Sequence, residues 1–470
     1  MATGRVGSIT LEWVRRSPRV IEAITVFLSA VMGCLALSTP ISLAWAEGAA
    51  SLEMELLMHS LPRATAVGGM AAIITVGFAT TTGSTRIAWL IAFGGSLILL
   101  ANHLLWLGFS GFAPLTTLNY VDCMAGGIVL GGVLSAIQHH RALMLLAALG
   151  GMGAIMLSDL SVSDAEFAGT AGDSPLGWFV TESLPVVLIA PTAALIVWCA
   201  FARGRPRPEE SVLSVELPLR PILAMLIITG SRVVGSSWLI RDGSTPHDAL
   251  PVALLVVVVA LLGALLLPQR EGEMVLVAVA VAAAGGAVFL VPLTGWMVPM
   301  LLAAGGAGIV LGVYRPMPLA AILGAVGLAV FALLTVDANG PSAPATVSGC
   351  LVLTLLVGYA LASALPRDGA TAMTLGLLVL CLPGPTVAVR ARIYGVGFAL
   401  PRRWEAPGGD GTSDVLLFAL TGVVALIIAV GCALSILVLR RIRPPAPTTA
   451  GEVQAAVAEQ GEDRGIPRPR

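Results

Sequence analysis

The sequence contains no lysine; all 26 basic residues are arginine, and only 11% of the chain is charged. With a net charge of −1 there is no basic face for nucleic acid, so what matters is where the charges sit. Absence of lysine alongside abundant Ala, Gly and Val points to a GC-rich bacterial genome, which is a bias and not a function. The six cysteines, Cys34, Cys123, Cys199, Cys350, Cys381 and Cys432, fall singly in apolar stretches without C-x-x-C spacing or neighbouring histidines. That pattern excludes a disulfide framework or a zinc site and makes them small packing residues. No Gly-x-x-x-x-Gly-Lys-Ser/Thr loop is present, so the chain itself is not expected to hydrolyse ATP, and no cofactor or metal is expected.

What is present is apolar: 57% of residues are hydrophobic and the mean hydropathy is +0.93, the composition of a polytopic membrane protein. Runs long enough to cross a hydrocarbon core of roughly 30 Å lie near 20–41, 64–80, 87–108, 117–136, 142–159 and 176–202. A connector rich in Arg, Pro and Glu follows, then two runs near 220–240 and 250–268. A second block of six lies near 274–292, 296–313, 317–335, 346–365, 372–388 and 413–439, giving fourteen transmembrane helices in all. Arginines before the first run and Ala44-Trp45-Ala46 after it resemble a cleavable signal. The basic region is long and carries Glu12 and Glu22, so retention as the first helix is expected.

Arginine placement checks the count. Loops that a cytoplasmic N-terminus makes internal hold sixteen arginines, among them Arg86, Arg141, Arg315 and Arg440, whereas external loops hold six. External loops carry acids instead, notably Asp164, Glu166 and Asp173. Both termini are therefore expected in the cytoplasm, with the chain in the cell membrane and the tail after Arg443 disordered.

The polar loop GFATTTGSTR, residues 77 to 86, has a counterpart. Arg315 follows Arg86 by 229 residues, and QHHRAL from 138 is matched by PRDGAT from 366 at an offset of 228. The glycines Gly94 and Gly95 after Arg86 are echoed by Gly324 after Arg315. This spacing predicts an internal repeat: a six-helix bundle over 1–203, a connector over 204–219, an inserted helix pair over 220–268, a second six-helix bundle over 269–443 and a tail over 444–470. Repeats of this kind build transporters in which one bundle rocks against the other. Small residues allow close helix approach, as at Gly126, Gly127, Gly131 and Gly132, and at Gly305, Gly306, Gly308 and Gly312. The same glycines equally suit simple tight packing.

In topology the chain resembles the major facilitator superfamily, and within it the fourteen-helix drug/proton antiporter branch. That superfamily's loop between spans two and three reads G-x-x-x-D-R-x-G-R-R; here Gly77, Gly83 and Arg86 match if one residue is deleted, and Thr81 stands where the acid belongs. The resemblance implies a cytoplasmic hinge loop whose charge latch is reduced to one arginine. The R-x-x-x-G signature of span four becomes Asp122-Cys123-Met124-Ala125-Gly126, and the Gly-Pro signature of span five is absent, Gly150-Gly151-Met152-Gly153 being a remnant. A divergent branch is implied.

Among the ionisable residues within the predicted spans four stand out: His103, Asp122, Glu182 and Arg232. At bilayer depth each costs a few kcal/mol or more unless partnered. Counted from the outer ends they form one layer, in which Asp122 or Glu182 pairs with Arg232 and the other acid is left to bind a proton or a cation. Against this, Asp122 and His103 sit high enough to reach interfacial water, and Arg232 can snorkel. Tryptophans 45, 106, 179, 238 and 296 fit an interfacial belt, and Pro185, Pro191, Pro292, Pro383 and Pro385 mark kinks.

The expected function is secondary active transport by alternating access, exporting a small amphipathic or lipid-like molecule with proton coupling, and no enzymatic activity. The expected partners are the lipid bilayer and that substrate. Rival readings are a flippase for a lipid-linked envelope precursor, a non-transporting scaffold, and a membrane glycosyltransferase using Glu53 and Glu55.

Overall fold

The computed structural model describes residues 6–38, 51–108, 114–166, 184–203, 219–241, 243, 245–268, 270–288, 297–335, 343–366, 369–394 and 412–443. They form fifteen α-helices. The first set is α1 (Val6–Ser38), α2 (Ser51–Thr82), α3 (Thr85–Gly108), α4 (Leu115–Ala136), α5 (Arg141–Glu166) and α6 (Val186–Arg203). Then come α7 (Leu219–Arg241) and α8 (Ala249–Leu266). The second set is α9 (Glu271–Val288), α10 (Met297–Tyr314), α11 (Pro318–Leu334), α12 (Ala343–Ala364), α13 (Ala370–Cys381), α14 (Pro385–Tyr394) and α15 (Thr412–Ile442). Among the described residues twelve spans are long and apolar enough to cross a membrane, and two shorter apolar helices lie at Val186–Ala202 and Pro318–Leu334. The chain is an all-α polytopic membrane protein.

Helix packing repeats between the two sets. In the first, α1 packs on α4, α5 and α6, α4 on α2 and α3, and α3 on α6. In the second, α9 packs on α12, α13 and α15, α12 on α10 and α11, and α11 on α15. Helix limits follow the same spacing, since Leu115–Ala136 and Ala343–Ala364 start and end 228 residues apart. The expected fifth span of the second block is interrupted: Leu382-Pro383-Gly384 separates α13 from α14 because Pro383 and Pro385 lack the N–H groups a continuous helix needs.

Glycine sets the tightest contacts, and these lie within each set. A methyl at Gly127 or Gly131 would press into the backbone oxygen of Gly68 or Ala72 on α2; Gly308 and Gly358 stand likewise against Leu355 and Gly305 between α10 and α12. Backbones that touch this closely leave no slack for sliding. Contacts between the sets run instead through side-chain ends: Leu377 toward Gly151, the Met152 methyl toward Gly305, and Leu378 toward Gly69. The glycines thus stiffen each set, while the contacts just named between the sets are made by deformable Leu and Met side chains.

Helix α7 bridges the two. It packs on α8, on α2 of the first set and on α14 of the second. Its buried residues Met225, Ile228, Thr229, Arg232, Ser236 and Leu239 recur at three- and four-residue spacing, one face of a helix, while Leu223, Leu226 and Val234 are exposed.

Candidate functional site

Asp122 lies seven residues into α4, roughly 10 Å along its axis, and is 5% exposed. Its carboxylate is held from α3 by consecutive residues. Asn102 Nδ2 donates to Oδ1 at 2.7 Å and also to the Leu118 carbonyl at 3.1 Å, and His103 Nε2 lies 3.0 Å from Oδ2. His103 is itself 3% exposed. A carboxylate only accepts, so with Asp122 ionised the ring nitrogen donates; with Asp122 protonated, a neutral ring accepts. The 3.0 Å geometry thus suits a proton on either atom. Both ends are fixed because α3 and α4 pack closely, Gly95 lying against the Ala125 carbonyl.

The expected opposition of Asp122 to Arg232 does not occur, since the acid is already engaged on α3. Arg232 is 2% exposed and donates from Nη1 to the Val379 carbonyl at 2.5 Å and the Leu382 carbonyl at 2.9 Å. Both acceptors sit at the C-terminal end of α13, where a helix leaves unsatisfied carbonyls and partial negative charge. The guanidinium therefore caps the interrupted helix, close beside Gly384, where a Cβ would come 3.3 Å from Nη2. It is buried and does not snorkel. Glu182 lies outside the described residues.

The loop candidates prove local. Gly83 adopts φ +62 and its N–H donates to Thr80 at 3.3 Å, ending α2 with the left-handed turn glycine allows. Thr80, Thr81 and Thr82 donate their hydroxyls back to the carbonyls of Val76 and Gly77, Phe78 and Ala79, so the threonines satisfy the end of α2. Gly77 is buried within α2. Arg86 is exposed, its guanidinium 5.3 Å from the Phe201 ring of α6, a cation–π contact within the first set. Arg315 is exposed too, and its carbonyl accepts from the Tyr359 hydroxyl at 2.9 Å. Arg141, at the start of α5, reaches across the sets, its Nη2 donating to the Ala362 carbonyl of α12 at 3.4 Å.

Sequence reasoning missed Asn102, Asn119 and Arg141. The first two are uncharged and so escaped a search for intramembrane charge, although Asn102 adjoins His103 and Asn119 lies one turn from Asp122. All six cysteines are buried and free, with the Cys34 thiol of α1 meeting that of Cys381 on α13. Among the described residues no His/Cys/Asp/Glu group is arranged to hold a metal ion.

No protein-family model matches the chain, and no curated protein matches it in sequence. Similar solved structures include a double tryptophan mutant of XylE, 15% identical with a TM-score of 0.47, covering 92% of this chain and 98% of that one. A POT peptide transporter in complex with alafosfalin is 14% identical with a TM-score of 0.49, covering 90% and 96%. FucP, a major facilitator superfamily transporter in the outward conformation, is 13% identical with a TM-score of 0.44, covering 91% and 99%. Likenesses of this strength assign no family.

Proposed function

We propose that this protein is a secondary active transporter that works by alternating access, and that the Asp122–His103 pair is its proton-binding site. The observation that carries the reading is this pair, buried and fixed by Asn102 in a membrane-spanning helix, where an ionisable group has no structural economy to justify it. Two six-helix bundles, 1–203 and 269–443, rock as units about the side-chain seam, with the 204–219 connector and the 220–268 pair between them. Support for rigid units comes from glycine-to-backbone packing inside each set and its absence from the seam contacts named above. The cargo is a small amphipathic or lipid-like molecule, exported across the cell membrane, with both termini cytoplasmic.

Coupling is tested by reconstituting the chain into vesicles loaded with a pH-sensitive dye and following proton movement on addition of candidate amphipathic cations and lipids. Substrate-dependent proton flux that disappears in Asp122→Asn supports the reading. Flux identical in the two proteins rules Asp122 out of the coupling.

A further inference from the structure

Resting on the reading of Asp122 as the proton site, we propose that Asn119 holds the water through which the Asp122–His103 pair exchanges its proton. Asn119 is 0% exposed, and both its Nδ2 and its Oδ1 are without a hydrogen-bond partner. Among the described residues other buried polar atoms lack one too, namely hydroxyls and single ring or guanidinium nitrogens; Asn119 is the side-chain amide left with neither its nitrogen nor its oxygen engaged. An amide wholly removed from water costs several kcal/mol unless it is paired, and in helical membrane proteins buried polar side chains find partners. Water is the partner that fits, accepting from Nδ2 and donating to Oδ1.

Placement then gives that water a role. Asn119 and Asp122 are three residues apart on α4 and so share a face, with Cβ atoms about 5–6 Å apart, the span one water bridges. Each oxygen of Asp122 has one partner, Asn102 or His103, and a carboxylate oxygen accepts more than one hydrogen bond. Asn119 also lies between Asp122 and the Leu115 end of the helix, which is the shorter way out of the membrane. In the transfer a hydrated proton at Asn119 passes to the Asp122 carboxylate, leaving neutral water behind, and the reverse step returns it.

Few charged or titratable groups face this path. Helix α3 brings His103, the exposed Arg63 lies on α2, which packs on α4, and Tyr120 adjoins Asn119 on α4 itself. Helix α4 adds the Cys123 thiol and α13 that of Cys381, while on α1 Glu22 lies near the opposite end. Arg232 is committed to the carbonyls of α13.

The test uses the full chain in phosphatidylcholine nanodiscs. Infrared spectroscopy locates the protonated Asp122 carboxyl by the band that Asp122→Asn removes, and its hydrogen–deuterium exchange is timed after mixing with D2O. Asn119→Leu, which cannot hold water, is expected to slow exchange at least tenfold, while Asn119→Ser keeps it near the parent rate; Asn119→Val serves if the leucine variant does not fold. Equal rates in the parent and the apolar variant overturn the assignment, even if thermal stability changes, because packing alone would do that. Absence of any such band across the accessible pH range overturns the reading of Asp122 as a proton site, and this inference with it.

Discussion

His103 and Asp122, nineteen residues apart in the chain, bring Nε2 to within 3.0 Å of Oδ2 in the packed interior of α3 and α4. Replacing the acid by leucine leaves His103 and Asn102 facing an apolar group. Breaking one side of a buried pair costs about 3–5 kcal/mol, so Asp122→Leu is expected to lower the melting temperature clearly in detergent. Asp122→Asn keeps the shape and the hydrogen-bonding capacity and is expected to fold near normally while losing any proton binding. Equal stability of the leucine and asparagine variants would show that the pair contributes little to the fold.

Arg232 closes the end of α13. Its replacement by methionine preserves much of the apolar stem but strands the carbonyls of Val379 and Leu382. With about 1–3 kcal/mol for each of the two buried groups left unsatisfied, Arg232→Met is expected to destabilise by roughly 2–6 kcal/mol, read as a lower thermal midpoint. Lysine, a point charge without the planar fork, should restore only part of this loss.

Two glycines separate backbone strain from steric collision. At Gly83 nothing lies within 4 Å of an added Cβ, but φ is +62. Gly83→Ala is thus expected to cost about 1 kcal/mol from the left-handed conformation alone. Gly127→Ala meets backbone of α2 instead and should cost several-fold more, or abolish the folded yield. Similar losses at the two positions, measured side by side, would contradict this separation.

Arg141 donates across the sets to Ala362, and a single long hydrogen bond of 3.4 Å is worth little to the fold. Its loss in Arg141→Gln is expected to leave the stability within about 1 kcal/mol of the parent while changing the balance of conformations. Spin-label distances between α5 and α12 at that end should broaden toward longer values. An unchanged distance distribution shows that Arg141 does not hold the two sets together at this end.

Tyr359 fixes the turn between α10 and α11 by donating to the Arg315 carbonyl. In Tyr359→Phe a drop of about 1 kcal/mol should appear together with faster amide exchange over residues 314–318. Exchange as slow as in the parent would show that the turn holds without it.

Much of the architecture was legible in the chain because its signals are local. Hydropathy located the helices, and the offset of 228 to 229 residues anticipated matching helix limits such as those of α4 and α12. The break after Cys381 was marked by Pro383 and Pro385, though only as a kink. Of the candidate charges, His103 and Asp122 were both named, but not as partners; Arg232 was set against Asp122 or Glu182, and of these Asp122 is engaged on α3 while Arg232 serves backbone carbonyls. Hydropathy has no term for which faces of distant helices meet, nor for a backbone oxygen as the partner of a guanidinium. Asn119 was invisible for another reason: its amide is unremarkable in sequence and becomes informative only when burial leaves it unpaired.

The sequence by itself determined that this is a chain of apolar helices for a bilayer, their order and repetition, and which few ionisable residues they carry, because each follows from residues adjacent along the chain. Only the tertiary structure decided that Asp122 meets His103 and that Arg232, 147 residues from Val379, caps a broken helix. Those pairings depend on how helices rotate and cross, which is set by close approach at glycines such as Gly127 and Gly308 and by side chains interlocking over the whole interior.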